Sequence, residues 1–331
     1  MKSMDLLGKT RFLPFFLTQF SGALNDNLYK NGLTVFIAFQ SAAIAQSESN
    51  DLVNIAAGLF ILPFFLFSAV AGQLADKYEK SLLISRIKLL EIAIMLFAGL
   101  AFYLNSTAML IGLLFLMGTQ SALFGPVKYS LLPQVLKDDE LIGGNALVEF
   151  GTFIAILIGL IAGVLITSIE NSGTYWLSAA VLVMAIAGYL VSLKIPKVAA
   201  NAPDLKIDFH LLRQFVQSFH YARENRTVFY SIMGISWFWF LGITYVTQLP
   251  NFVRYELGGN EQVYVLLLAM FSIGIGAGSF LCEKLSGRIV ELGLVPIGSL
   301  GLTLFGIDIY FTQSASVSSE LISPWVFATT G

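Results

Sequence analysis

Apolar residues in this chain fall in long runs separated by short polar connectors. A helix needs about 20 apolar residues to cross a bilayer. Runs of that order occupy approximately 12–40, 52–75, 82–104, 106–127, 142–169, 173–194, 227–253, 262–282 and 293–313. A tenth begins near Ser323 and stops at Gly331. The pattern predicts an all-α membrane protein. The first run is too long for the apolar region of a cleavable signal peptide, and it carries Asn25-Asp26-Asn27 and Lys30 within it.

One connector breaks the rhythm. The stretch Lys194 to Arg226 opens Lys-Ile-Pro-Lys, passes through Ala199-Ala200-Asn201-Ala202-Pro203 and becomes amphipathic. Phe209, Leu212, Phe215 and Phe219 share one face, with Arg213, Gln214 and Gln217 opposite. This predicts a helix lying on the inner leaflet between two bundles. The expected division is an N-terminal six-helix bundle at 1–194, a cytoplasmic linker with its amphipathic helix at 195–226, and an incomplete C-terminal bundle at 227–331.

Composition agrees and excludes alternatives. Hydrophobic residues make up 56% of the 331 and charged residues 12%, against roughly a quarter charged in soluble domains. Mean hydropathy is +0.77. A soluble enzyme, a disulfide scaffold and a disordered tail are all excluded. Cys282 is the one cysteine and His210 and His220 are the two histidines, so no disulfide and no Cys/His metal site is expected. No stretch points to nucleic acid.

The placement of charge sets orientation. With the N-terminus inside, Lys2, Lys9, Arg11, Lys77, Lys80, Arg86, Lys88, Lys137, Lys194, Lys197, Lys206, Arg213, Arg223, Arg226, Lys284 and Arg288 lie on the cytoplasmic side or its edge. Of the 19 basic residues, that leaves Arg254 outside and Lys30 and Lys128 within or beside runs. The opposite connectors, Gln46–Asp51, Asn105-Ser106 and Glu170–Ser172, carry no basic residue. The bias predicts a cytoplasmic N-terminus.

Chemistry by side-chain catalysis finds no motif. Neither His210 nor His220 is followed by an Asp after four intervening residues, as an acyltransferase base and its orienting acid require. A nucleophile elbow, a P-loop and a dinucleotide fingerprint are also missing from the sequence. No enzyme activity and no cofactor are expected of this chain.

Two sets of motifs narrow the reading. Gly72-Gln73-Leu74-Ala75-Asp76-Lys77-Tyr78-Glu79-Lys80 follows the second run. It resembles the signature loop of the major facilitator superfamily in Gly72, Asp76, Lys77 and Lys80, with Glu79 where a second Gly is usual. Gln19–Asn27, Gly125-Pro126-Val127-Lys128-Tyr129-Ser130, Asn145–Glu149, Lys194–Lys197 and Gly234–Trp239 resemble motifs of bacterial lysophospholipid transporters, in order and over most of residues 11–285.

The resemblance implies a major facilitator fold of two six-helix bundles. With about nine and a half runs, the chain is expected to be a fragment that stops within the second bundle. It also implies a multi-pass protein of the bacterial inner membrane that moves lysophospholipid, especially lysophosphatidylethanolamine, to the inner leaflet. In some members the transporter is fused to an acyltransferase and an acyl-carrier-protein synthetase that re-acylate the lipid, and the N-terminus here resembles the fused type. Two other readings stand beside it: export of amphipathic drugs, and a non-transporting membrane anchor for a fused acyltransferase.

The candidate substrate contacts are intramembrane polar residues. Asp26 sits at the midpoint of the first run, where a charge costs several kcal/mol unless paired or hydrated. Lys30 lies one turn on, so an Asp26–Lys30 pair is available, with Asn25, Asn27 and Asn31 around it. The alternative is a polar cluster that locks the first helix to its neighbours. Lys128 is expected to end the fourth run behind a helix break at Gly125-Pro126, where an ammonium can reach a phosphodiester. Glu149 can supply an anion for an ethanolamine head or pair with Lys128. Glu91, near Arg86 and Lys88, reads as a structural partner. Gly159 and Gly163, and Gly274, Gly276 and Gly278, read as close-packing faces, expected by analogy at the seam between bundles. Tyr175-Trp176 reads as an interface belt.

Overall fold

A computed structural model describes residues 3–40, 46–285, 293–311 and 322–330. Lys2, Arg288, Gly331 and the side chains of Cys282, Lys284 and residues 46–50 lie outside the described set, as does the placement of Gly276. Eleven α-helices occur among the described residues. They are α1 Leu13–Val35, α2 Gln46–Lys77, α3 Lys80–Tyr103, α4 Thr107–Val135, α5 Leu141–Thr167, α6 Gly173–Ser192, α7 Leu211–Glu224, α8 Arg226–Asn251, α9 Glu261–Leu285, α10 Leu294–Phe311 and α11 Pro324–Thr330. A π turn, Phe36–Gln40, extends α1. No β-strand is found among the described residues. Among the described residues six helical segments are long and apolar enough to cross a membrane: those in α2, α4, α5, α6, α8 and α10. α1 and α3 are of similar length and carry the polar residues described below.

The turns follow from local chemistry. Asn105 between α3 and α4, and Asn171 between α5 and α6, sit at φ 51° and 58°. Asn tolerates that left-handed conformation better than other residues with a Cβ. Ser106 caps α4 by accepting from the Met109 N–H. α2 begins at Gln46 rather than at 52, so the acidic connector expected there is already helical.

The chain divides into two compact units, Met1–Thr247 and Gln248–Gly331. In the first, α1 runs through the middle, packed on α5 and α6, while α2 packs on α4 and α3 on α4 and α6. Its interior has two apolar zones. One gathers Tyr29, Leu33, Phe36, Phe102, Leu110, Met117 and Val181. The other gathers Phe12, Phe15, Ile84, Val127, Leu131 and Val148. Between them, on the same helices, lies a belt of polar side chains.

The amphipathic linker helix is α7. Its aromatic stripe does not face lipid alone: the Phe215 ring lies 4.6 Å from that of Phe65 on α2, and Phe219 meets Phe229 on α8 at 6.0 Å. In the second unit, Val253, Val263, Tyr264 and Leu268 are buried. Ile322 N–H donates to Gly258 and Asn260 N–H donates back to Ile322, at 2.8 and 3.1 Å.

Small residues bring α1 and α5 together. A Cβ on Gly159 would lie 2.5 Å from the Leu24 carbonyl oxygen, and one on Gly163 would lie 2.6 Å from that of Leu28. The smooth face of α5 is therefore filled by α1 of the same unit, rather than kept for a seam between bundles as the sequence analogy expected. Backbone approach of this kind is what small-xxx-small spacing permits in lipid, where hydrophobic burial cannot drive helices together.

Candidate functional site

The polar belt has two parts. The first joins α1, α3 and α4. Lys88 and Glu91 pair at 2.6 Å with each side chain 1% exposed. Asn25 on α1 donates to the other Glu91 oxygen at 2.7 Å, and Gln120 on α4 donates to Glu91 at 3.1 Å. Next to Gln120, the Ser121 hydroxyl lies 2.5 Å from Asp26 Oδ2 and 3.1 Å from Gln120 Oε1. Having one proton, it donates to one of the two at a time, and the shorter contact to the carboxylate is the stronger. The other Asp26 oxygen, Oδ1, is buried without a hydrogen-bond partner, and so is Asn25 Oδ1.

One expectation is corrected here. Among the described residues no ion pair joins Lys30 to Asp26. Asp26 turns to Ser121 on α4, while the Lys30 ammonium turns toward α2 and stands 5.2 Å from the Phe60 ring centre. Lys88 stands eight residues into α3, about 12 Å from the helix start. Glu91 is the structural partner the sequence suggested, and it also holds Asn25, the neighbour of Asp26. Asn27 and Asn31 donate to carbonyls of their own helix, those of Ala23 and Asn27, both at 2.8 Å.

The second part joins α4 and α5. Lys128 lies 3.6 Å from Glu149 and donates to Thr152 at 3.3 Å. Tyr129 donates its hydroxyl to the same Glu149 oxygen at 2.7 Å, and the Lys128 ammonium sits 5.0 Å from the Tyr129 ring centre. Thr152 in turn donates to Gln19 on α1 at 2.9 Å or to the Val148 carbonyl at 2.8 Å. The Lys128 side chain is 11% exposed and that of Glu149 46%. The helix does not break at Gly125-Pro126. α4 continues to Val135 with both Pro126 and Pro133 inside it, so Lys128 lies about 10 Å short of its end. Proline removes one ladder hydrogen bond, and packed neighbours keep the helix continuous.

Sequence reasoning named Asp26, Lys128 and Glu149, and the structure gives each a charged or hydroxyl partner on another helix. It missed Gln120, Ser121, Thr152 and Tyr129. The first three are neutral polar residues within apolar runs, which is itself the available signal: such groups in lipid find partners across helices.

The signature loop between α2 and α3 is engaged by the linker. Asn201 of the linker accepts from Lys80 at 3.2 Å and from Gln134 at 2.7 Å, and donates to Asp76 at 3.2 Å. Ala202 N–H donates to the Asp76 carbonyl at 2.8 Å, and Asp208 N–H donates to Gln73 at 2.7 Å. Glu79 caps α3 by accepting from the Ser81 and Leu82 N–H groups, and it also takes the Val198 N–H at 3.1 Å. Burial works to raise its pKa, and the bonds from Val198, Ser81 and Leu82 outweigh it and hold the carboxyl below its usual range. Lys77 lies 5.9 Å from the Tyr78 ring centre, and Gly72 has open space where a Cβ would stand.

A second clamp ties the N-terminal segment to the α4–α5 turn. Glu140 receives Lys9 at 2.8 Å and Arg11 at 2.5 Å. The Lys137 N–H also donates to it, and with Lys9 and Arg11 this pulls its pKa down to about 2.

A multi-pass helical bundle with ionisable side chains held in a mid-depth belt has the architecture of a membrane transporter. The family profile of the Major Facilitator Superfamily matches residues 15–331. The chain belongs to that superfamily and, within it, to the lysophospholipid transporters. It is 31% identical over 295 residues to the lysophospholipid transporter LplT of Citrobacter koseri, a match covering 85% of this chain and 68% of the relative. It is 30% identical to that of Cronobacter sakazakii, over 80% of this chain and 64% of the relative. The Escherichia coli K12 transporter is 28% identical over 290 residues. The chain thus spans about two thirds of the length of the curated relatives it matches.

Proposed function

We propose that this chain is the greater part of a bacterial inner-membrane transporter that moves lysophospholipid, with lysophosphatidylethanolamine the favoured head group, to the inner leaflet for re-acylation by a fused or associated acyltransferase. Its N-terminus is cytoplasmic. Residues 1–194 form one bundle, 195–226 the linker, and 227–331 part of a second bundle, and the two alternate access to a site between leaflets. Asp26, Lys30, Lys128 and Glu149 contact the head group, with Asn25 and Asn27 shaping the wall around Asp26.

The observation that carries this reading is Asp26. Its carboxylate lies at mid-depth in α1, one oxygen held by a single hydroxyl and the other buried and unpartnered. A bundle built only for stability would give both oxygens partners, as it does for Glu91, because a buried polar atom left without a hydrogen bond costs about 1–3 kcal/mol. A group left so is kept for something that arrives. The names of the relatives supply the class of cargo.

The test is uptake of labelled lysophosphatidylethanolamine into spheroplasts that lack their own transporter and express the full-length protein. Uptake is expected, and Asp26→Ala or Lys128→Ala should abolish it at normal expression. No uptake by correctly inserted wild-type protein sinks the reading. Efflux of an amphipathic cation without lipid uptake would favour the drug-exporter alternative.

A further inference from the structure

Lys128, Tyr129 and Glu149 form an arrangement that the transport reading does not by itself require. The Lys128 ammonium stands over the Tyr129 ring at 5.0 Å and beside the Glu149 carboxylate at 3.6 Å. A carboxylate next to an aromatic face is the surrounding that recognises organic ammonium groups. The seat is built from outside Lys128: Tyr129 orients Glu149 through its hydroxyl at 2.7 Å. It is also accessible, since Tyr129 is 52% and the Glu149 side chain 46% exposed, whereas Lys128 reaches it from a largely buried position, 11% exposed.

Lys128 has a second place to go. Its ammonium also donates to Thr152 at 3.3 Å, on the side of the belt toward Gln19. The tether to Glu149 at 3.6 Å is looser than the 2.6 Å pairing of Lys88 with Glu91. Lysine, with a flexible four-carbon stem, moves between such partners at small cost.

We infer that Tyr129 and Glu149 are a seat for the ammonium of a zwitterionic phospholipid head, and that Lys128 occupies it as a stand-in when no substrate is bound. On binding, the substrate's ammonium takes the seat and Lys128 turns to the phosphate of the same head. Charge is conserved throughout: one cation leaves Glu149 as another arrives, and the phosphate receives the one displaced. The exchange makes Glu149 a specificity-determining residue. It favours an aminoethyl phosphate over a phosphoglycerol head, which brings no cation and leaves Lys128 torn between carboxylate and phosphate. This inference rests on the lysophospholipid reading above.

Proteoliposomes of phosphatidylcholine containing the full-length protein are assayed for uptake of labelled lysophosphatidylethanolamine and lysophosphatidylglycerol in parallel. Glu149→Gln should cut lysophosphatidylethanolamine uptake by about tenfold or more, the loss of one charge-assisted contact, and leave lysophosphatidylglycerol uptake unchanged or raised. Glu149→Asp should restore most of the preference, and Tyr129→Leu should weaken it through loss of the ring. A parallel fall for both lipids in Glu149→Gln, with Glu149→Asp active, overturns the inference and makes Glu149 a positioning partner of Lys128. Unchanged preference in all variants overturns it too. Failure of wild-type protein to take up either lipid instead refutes the transport reading on which it rests.

Discussion

Glu91 is the place where the belt is most exposed to a single change. Replacing it by Gln keeps its shape and removes its charge. Lys88, 1% exposed and 2.6 Å away, is then left buried without a counter-ion. Asn25 and Gln120 donate to different Glu91 oxygens, so Gln keeps an acceptor for one of them and turns an NH2 group toward the other, and one hydrogen bond is lost along with the ion pair. Breaking a buried pair from one side costs about 3–5 kcal/mol. Lys88→Met with Glu91→Gln removes both charges together and leaves one amide oxygen for Asn25 or Gln120, so the double variant should recover at least half of that loss. The coupling in a double-mutant cycle should reach about 2 kcal/mol, the upper range for contacting residues. The assay is thermal unfolding of the detergent-solubilised protein, followed by retention of a monodisperse gel-filtration peak after heating. A Glu91→Gln protein as stable as wild type, or a double variant no better than either single one, would refute the reasoning that this pair is structural.

Other outcomes are expected elsewhere. Gly163→Leu sets a side chain against the Leu28 carbonyl oxygen, 2.6 Å from where its Cβ must stand; overpacking of this kind costs about 1–3 kcal/mol or more, and the protein should lose its monodisperse peak while Gly274→Leu, with open space at its Cβ, keeps it. The Glu140 clamp follows the sign of a lowered pKa. It is complete above the unfolded glutamate value of about 4.3 and is lost as pH falls from there toward about 2, so a fluorophore on exposed residue 5 should report release of the N-terminal segment over that window, and Glu140→Gln should report it already released at pH 7. Asn201→Ala removes the shared partner of Asp76, Lys80 and Gln134; limited proteolysis within 198–208 should speed up several-fold with no loss of bundle stability.

Much of the fold was legible because lipid imposes a simple demand: each span must satisfy its backbone internally, so helix length and polar connectors mark themselves. The runs, the tight turns at Asn105 and Asn171 and the amphipathic α7 all follow from local pattern. What was not legible is which helix meets which. The i,i+4 spacing of Asp26 and Lys30 permits a pair, yet the two side chains leave in different directions because α4 offers a hydroxyl and α2 an aromatic face. Gln120 and Ser121 carry no charge and interrupt the apolar run only briefly, so nothing in one dimension says that they complete a network begun on α3. The α5 glycines announced close packing correctly, and only the three-dimensional arrangement shows α1 as the partner.

The contact of α5 glycines with the α1 backbone has a consequence for how the site can change. Asp26 is fixed to one of these helices and Glu149 to the other, and at Gly159 and Gly163 the α5 backbone lies directly against the Leu24 and Leu28 carbonyls and the Cβ atoms of Asn27 and Asn31. The two helices have no slack between them and translate as one piece. The spacing of the Asp26 carboxylate from the Lys128–Glu149 pair is then a rigid ruler carried by the first unit. A head group held against both marks, as proposed, would be measured by that spacing.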